Sequence, residues 1–223
     1  MAVAPLAGLL LPQDGAVSDL LRVAGPALIY VLLIAGIAVL GRRRGLGSLS
    51  SDFGLRIRPV DLLLGLGAAV VYELALILVG LALSGATDDR PTSNLTVFDS
   101  VALQAAFSVV VVVVGPLAEE LLMRGLVLRA LRNAILRRSG GGPPTEGRRR
   151  AAIDISVIGS ALVFALLHLH EAHDLVTAVA LFSATLLLGL ITGWLASRTG
   201  RLGPGIVTHA LVNGLALTLA LSV

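Results

Sequence analysis

The sequence contains no cysteine, no lysine, and few aromatic or charged side chains. Without cysteine, the 223-residue chain has no disulfide, no thiolate metal ligand and no cysteine nucleophile. Aromatic residues make up 4% and charged residues 14% of a composition that is 56% hydrophobic, with a mean hydropathy of +0.94. This balance excludes an ordinary soluble protein, and we expect a single all-α membrane domain over residues 1–223.

Six hydrophobic windows are long enough, or nearly so, to cross a bilayer. A hydrocarbon core about 30 Å thick requires about 20 apolar residues in helical form. The windows cover residues 23–40, 60–83, 97–118, 151–169, 175–197 and 204–222. We therefore predict a polytopic bundle of about six transmembrane helices. The first twelve residues are apolar but lack a basic leader, so we expect no cleaved signal peptide.

All the basic residues are arginines, and most of them are sorted into alternate connections between the spans. They concentrate in residues 42–58, 129–150 and 198–201, whereas the other connections are poor in arginine. Because this sorting follows the spans rather than forming one basic face, the net charge of +3 does not indicate a nucleic-acid partner. The positive-inside rule predicts that the basic connections are cytoplasmic and that both termini face the other side. The alanine-, glycine- and arginine-rich composition is typical of a GC-rich bacterium, which suggests the inner membrane.

The stretch GPLAEELLMRG at 115–125 places three charged residues within a hydrophobic segment. Each charge at mid-membrane costs at least about 2.5 to 3.5 kcal/mol, so function is the default explanation. Glu120 and Arg124 stand at i, i+4 in the order that favours an ion pair, which leaves Glu119 to find a partner elsewhere. Alternatively, both acids pair with arginines at the interface. Pro116 removes a backbone hydrogen bond and predicts a kink with freed carbonyls.

Two later spans carry polar residues at helical spacing. FALLH places Phe164 and His168 on one face of span four, and HALVN places His209 and Asn213 on one face of span six. A lone membrane histidine is often only a helix–helix hydrogen bond. Two imidazoles, an amide and an unpaired carboxylate from three spans instead predict a shared site.

These four groups suit hydrolysis. Glu119, shielded from bulk water, can take a proton from a trapped water that one histidine helps to hold. His209 and Asn213 can donate hydrogen bonds to a developing oxyanion. Equally, Glu119, His168 and His209 can bind Zn²⁺ with a water in the open position. The sequence lacks the HExxH motif of most zinc proteases, and the spacing does not separate the two mechanisms.

Three ordered motifs resemble those of a known family. EELLMR reads as EExxxR, FALLH as FxxxH and HALVN as HxxxN, between residues 99 and 215. They resemble the CPBP family, which unites type II CAAX prenyl proteases with bacteriocin-processing and Abi proteins. The resemblance implies an intramembrane endopeptidase, described for the family as metal-dependent or as glutamate-based.

The resemblance also implies a role for each motif residue. Glu119 would activate the water, His168 would assist it, and His209 with Asn213 would stabilise the oxyanion. The residues that complete the motifs are Glu120, Arg124 and Phe164. The implied substrate is a membrane-associated or lipidated peptide or protein. Prenylated CAAX tails are the eukaryotic substrate class, and for a bacterial chain we expect a peptide or another membrane protein.

Two other functions compete with the protease. The polar cluster would serve helix packing alone in a non-catalytic membrane scaffold or bacteriocin immunity protein. A small transporter would use Glu119 and the histidines as a proton relay, but the chain shows no inverted repeats.

Other polar residues are weaker candidates. Glu73 in span two is expected to pair inside the bundle or to line the cavity, and Gln104 to make a helix–helix hydrogen bond. Asp154 is expected to favour the dipole at the start of span four. A turn after span four resembles a metal cluster but is expected to be a solvated loop. Its residues are His170, Glu171, His173 and Asp174.

The predicted spans contain a conflict of depth. Spans four and six run in the same direction, yet His168 comes late in one and His209 early in the other. At 1.5 Å per residue their depths would differ by about 15 to 20 Å. Either residues 200–205 enter the membrane, or span four starts later or tilts.

Overall fold

The structure is a computed structural model that describes residues 15–83, 96–137 and 143–222. Its helices, in chain order, are α1 (Ala16–Arg44), α2 (Leu49–Phe53), α3 (Val60–Leu83), α4 (Val101–Arg137), α5 (Glu146–His168), α6 (Leu175–Thr199) and α7 (Gly203–Leu221). Across the described ranges the protein is all-helical without strands, and six helices are long and apolar enough to cross a membrane. The predicted fold class and number of spans are therefore confirmed. The expectation for the first twelve residues lies outside the described part.

Several helices extend beyond the hydrophobic windows that predict them. The first helix starts at Ala16, the third span continues to Arg137, and the fourth starts at Glu146 rather than at 151. Thr145 caps this fourth span because its Oγ1 accepts a hydrogen bond from the Arg148 amide, at 3.3 Å. Hydropathy detects only the part of a helix in hydrocarbon, whereas capped, amphipathic turns carry the helix further into the polar interface.

Helix α4 occupies the centre of the bundle. It packs against α1, α5, α6 and α7, while α5 pairs with α6 and α3 pairs with α7. Its six consecutive valines, 109–114, would favour a strand in water. In hydrocarbon the helix prevails because it satisfies every backbone group within one segment. At 37 residues, α4 spans about 55 Å, which exceeds the hydrocarbon core and carries its arginine-rich end beyond it.

A buried ion pair fixes the start of α7 at the arginine-rich end of the bundle. Arg201 Nη2 lies 2.6 Å from Asp61 Oδ1, and Arg201 Nε donates to the same carboxylate at 2.8 and 3.1 Å. Asp61 is fully buried, and it also accepts the Arg58 amide at 2.8 Å. The bond to Asp61 raises the pKa of the Arg201 guanidinium. The loop before α7 is thereby tied to the connection before α3.

The beginning of α7 is buried rather than solvated. Leu202, Gly203, Pro204 and Gly205 are all buried, and the Leu202 amide donates to the Gly54 carbonyl at 2.8 Å. Residues 202–205 are therefore packed inside the bundle, whereas Gly200 is exposed. The idea that span four starts later is wrong, because its helix starts earlier.

Candidate active site

The two adjacent glutamates of α4 lie in different environments. Glu120 is fully buried, whereas 17% of the Glu119 side chain is exposed. Consecutive helical residues diverge by about 100°, so one acid faces the packed interior and the other faces the neighbouring helices α1 and α7. Only Glu119 therefore combines shielding from bulk water with partial access.

Glu120 forms the predicted pair with Arg124 in the core. Arg124 Nη1 lies 3.3 Å from Glu120 Oε1, and both side chains are fully buried. The guanidinium also lies over the Phe164 ring, 4.8 Å from its centroid, in a cation–π contact. A Cβ on Gly205 would lie 2.9 Å from Glu120 Oε2, so glycine at that position leaves room for the carboxylate.

His209 connects the two glutamates. Its Nδ1 lies 3.4 Å from Glu120 Oε1, and its Nε2 lies 3.6 Å from Glu119 Oε2. Only 4% of the side chain is exposed. From the sequence, Glu120 and Arg124 are predicted to pair only with each other. In the structure, Glu120 also orients His209.

The helix does not end at Pro116. It continues through the proline, with π-helical segments on both sides. Residues Val110–Val114 and Leu121–Val127 are π-helical, a geometry often found at functional sites. The Gly115 amide donates to the Val110 carbonyl, five residues back. By the same register the Val111 carbonyl would face Pro116, which has no N–H. Asn213 Nδ2 donates to this carbonyl at 3.0 Å. The freed carbonyl predicted from Pro116 therefore orients the Asn213 amide.

His168 is oriented by its own motif. Its Nδ1 donates to the Phe164 carbonyl at 2.8 Å, an i, i+4 contact within α5. Since a carbonyl can only accept, this bond places a proton on Nδ1 and leaves Nε2 of the neutral ring as an acceptor. His168 also interacts electrostatically with the Glu119 carboxylate.

The Phe164 ring brings the two imidazoles together. Its centroid lies 4.5 Å from that of His168 and 5.8 Å from that of His209, both in edge-to-face geometry. Two rings that contact one phenyl group cannot be separated by the 15 to 20 Å estimated from the predicted windows. His168 and His209 therefore lie close to each other, and the depths estimated from the predicted windows are wrong.

Tyr30 of α1 is a site residue that sequence reasoning missed. Its hydroxyl donates to Glu119 Oε1 at 2.7 Å, and the residue is 8% exposed. The contact joins positions 89 residues apart, and Tyr30 belongs to none of the three motifs. The available signal was a tyrosine within a span of a chain that has only two tyrosines.

The predicted zinc ligands do not form a metal site as they are placed. Within the described ranges, no group of three histidine and acidic side chains is arranged to hold a metal ion. Glu119 Oε1 accepts from Tyr30, and Glu119 Oε2 lies 3.6 Å from His209 Nε2. As placed, these side chains do not form a three-ligand zinc site, so the chemistry is derived below from the side chains alone.

The weaker candidates lie elsewhere or act differently. Glu73 is half-buried on α3. The prediction of a helix–helix hydrogen bond for Gln104 is wrong. Its Oε1 instead accepts a hydrogen bond from the backbone amide of Phe98, six residues earlier in the chain, at 2.9 Å. Asp154 is exposed and lies in the third turn of α5, because the helix starts at Glu146.

The histidine-rich turn is a loop and a helix cap. Asp174 caps α6, since its carboxylate accepts the Thr177 amide at 2.7 Å and the Thr177 hydroxyl at 3.0 Å. The pKa of Asp174 is lowered by the bond from the Thr177 amide. His173 lies 3.2 Å from Asp174 with 64% of its side chain exposed. These four residues do not assemble into a metal group in the part that the structure describes.

Comparison with known families gives one match. The family described as Type II CAAX prenyl endopeptidase Rce1-like matches residues 101–215, slightly more than half of the chain. The matched segment runs from the start of α4 into α7 and contains all three motifs. It leaves α1, α2 and α3 outside. In searches of the curated proteins and of the solved structures, nothing matched this chain.

Proposed function

This chain belongs to the type II CAAX prenyl endopeptidase family described as Rce1-like, and on that premise we propose that Glu119 performs its peptide-bond hydrolysis. The observation that carries the proposal is the position of the Glu119 carboxylate between Tyr30 and His209. A partly accessible carboxylate among fixed hydrogen-bonding groups can deprotonate a water and retain the proton for the leaving group.

Glu119 and His168 activate the water. Glu119 takes one proton from it while Nε2 of His168, the acceptor nitrogen of the neutral ring, holds the same water in line. The hydroxide adds to the carbonyl carbon of the scissile peptide bond. Glu119 then passes its proton to the departing amide nitrogen, so that the C–N bond breaks to give a carboxyl and an amine.

His209 and Asn213 stabilise the tetrahedral oxyanion. To donate to Glu120 through Nδ1 and to the oxyanion through Nε2, the His209 ring must carry protons on both nitrogens. Asn213 uses one Nδ2 hydrogen for the Val111 carbonyl, which leaves the other for the oxyanion. Donors held in advance by other bonds stabilise developing charge without reorganisation.

The substrate that fits this setting is a membrane-associated or lipidated peptide or protein. The six spanning helices and the family support a substrate that reaches the site from the bilayer. The arginine-only basic composition supports a bacterial inner-membrane location, where a peptide or another membrane protein is the expected substrate.

Cleavage by purified protein in lipid nanodiscs tests the assignment. The probes are a farnesylated CAAX peptide and an unmodified membrane-spanning peptide, each with a fluorophore and a quencher. We expect Glu119→Gln, His168→Ala and His209→Ala each to lower kcat/KM by about 10²- to 10⁴-fold. Glu73→Gln, the same change at an acid of another span, is the matched control and should cleave like the wild type. Equal cleavage by Glu119→Gln and wild type would favour the scaffold or immunity alternative.

A chelator tests the glutamate mechanism against the metal mechanism. Because the placed residues do not form a three-ligand group, we expect EDTA to leave cleavage unchanged and metal analysis to find no stoichiometric zinc. Loss of activity in EDTA that added Zn²⁺ restores would overturn this expectation.

A further inference from the structure

Tyr30 belongs to a helix that the family match does not include, yet it touches the central acid of the site. Its hydroxyl donates to Glu119 Oε1 at 2.7 Å, whereas the match begins at residue 101. The matched segment therefore lacks one of the groups that contact Glu119. Tyr30 also interacts electrostatically with Glu171, which follows His168 by one turn.

The ring of Tyr30 is held against α4 by close packing. A Cβ on Gly115 would lie 3.3 Å from two carbons of this ring, so glycine allows the ring to approach the helix closely. Gly115 precedes Glu119 by four residues and shares its face of the helix. Tyr30 also belongs to the buried cluster that contains Phe107 and Ala118. The packing of the ring against α4 therefore restrains the position of the hydroxyl.

The two oxygens of Glu119 have different partners. Oε1 accepts from Tyr30, and Oε2 faces His209 Nε2 at 3.6 Å. A glutamate carboxyl rotates broadly about its last bond unless a neighbour restrains it. We propose that Tyr30 is a positioning residue that holds Oε1, so that Oε2, the oxygen on the side of His209, remains available as the base. The inference rests on the proposed role of Glu119. It also means that α1, outside the matched segment, completes the site.

The first test removes only the hydroxyl. In Tyr30→Phe we expect kcat to fall about 10- to 100-fold, the effect of one hydrogen bond to a charged group, while KM stays unchanged. Tyr72→Phe is the matched control, because Tyr72 is similarly buried but belongs to another hydrophobic cluster. It should retain the wild-type kcat. A Tyr30→Phe protein with wild-type kcat would overturn the proposal.

The second test does not depend on the folding of Tyr30→Phe. The chain has two tyrosines, so in the Tyr72→Phe protein 3-fluorotyrosine labels Tyr30 alone. We expect its ¹⁹F resonance to move when Glu119→Gln is added and to stay in place when Glu73→Gln is added. An unchanged ¹⁹F chemical shift in the Glu119→Gln protein would show that the hydroxyl does not bind this carboxylate, and it would overturn the proposal.

The outcomes separate this inference from the function on which it rests. If Glu119→Gln cleaves like the wild type, the proposed function fails, whatever Tyr30→Phe does. If Glu119→Gln is inactive while Tyr30→Phe retains the wild-type kcat, the function stands and only the positioning role fails.

Discussion

Two ion pairs among the described residues, Asp61–Arg201 and Glu120–Arg124, have different geometries. Asp61 and Arg201 meet at 2.6 to 3.1 Å through two guanidinium nitrogens, and the Arg58 amide adds a further bond. Glu120 and Arg124 approach only to 3.3 Å, and the carboxylate also faces His209 at 3.4 Å. Short bidentate bonds hold the first pair in a single arrangement. In the second pair, the Glu120 carboxylate interacts with His209 as well as with Arg124.

This difference separates a structural pair from one that supports chemistry. The Asp61–Arg201 pair fixes the loop before α7, and its two charged groups bond directly to each other. Glu120 instead uses one oxygen to face both Arg124 and His209, so its charge helps to orient His209, the proposed oxyanion donor. Disruption of the first pair should therefore lower stability alone, and disruption of the second should lower stability and activity together.

The largest effect is expected from Arg124→Met. It leaves Glu120 buried without its cation, so the free energy of unfolding should fall by about 3 to 5 kcal/mol, and cleavage should disappear. The double variant Glu120→Gln/Arg124→Met should recover most of that stability, because a neutral amide costs far less to bury than an unpaired carboxylate. It should not recover cleavage. Denaturation in detergent and the peptide assay measure the two quantities, and recovered cleavage would contradict the role of Glu120.

Asn213→Ala should have a large effect confined to activity. It removes an oxyanion donor, so kcat should fall about 10²- to 10³-fold. The Val111 carbonyl loses its amide partner, which should lower the free energy of unfolding by only about 1 kcal/mol. Asn213→Asp retains the size but carries no N–H donor, and it should be similarly impaired. A fully active Asn213→Ala would remove the amide from the mechanism.

Asp61→Asn should lower stability without lowering the activity of the folded protein. Because Arg201 is 14% exposed, water can solvate it in part, and the expected loss is about 2 kcal/mol. The kcat/KM per folded molecule should remain at the wild-type value. A fall in kcat/KM at unchanged stability would contradict the structural assignment of this pair.

The smallest effect is expected at the exposed cap of α6. The lowered pKa of Asp174 means that its carboxylate stabilises the folded state above the ordinary aspartate pKa of about 3.9. This contribution is lost as the pH falls through the lower, folded-state value. Asp174→Asn can still cap the helix but does not titrate. Its unfolding free energy should therefore depend less on pH between about 6 and 3 than that of the wild type. An unchanged pH dependence would contradict the assignment.

The helices and most of the site were predictable, because their signals are local. The lengths of the apolar runs gave six spans, and i, i+4 spacing paired Glu120 with Arg124 and placed His168 on the face of Phe164. The windows were too short where capped polar turns extend the helices. The Gln104 prediction failed because a nearby backbone amide, at Phe98, offered a partner without a second helix.

The sequence by itself determined which segments become spanning helices and which side of each helix carries polar groups. Both follow from backbone hydrogen bonding in hydrocarbon and from the helical repeat. Only the tertiary structure decided that His209 faces both glutamates, that Tyr30 binds Glu119, and that the start of α7 is buried. Lipid solvates every apolar helix face almost equally, so the choice of facing partners depends on close packing and polar contacts between distant segments.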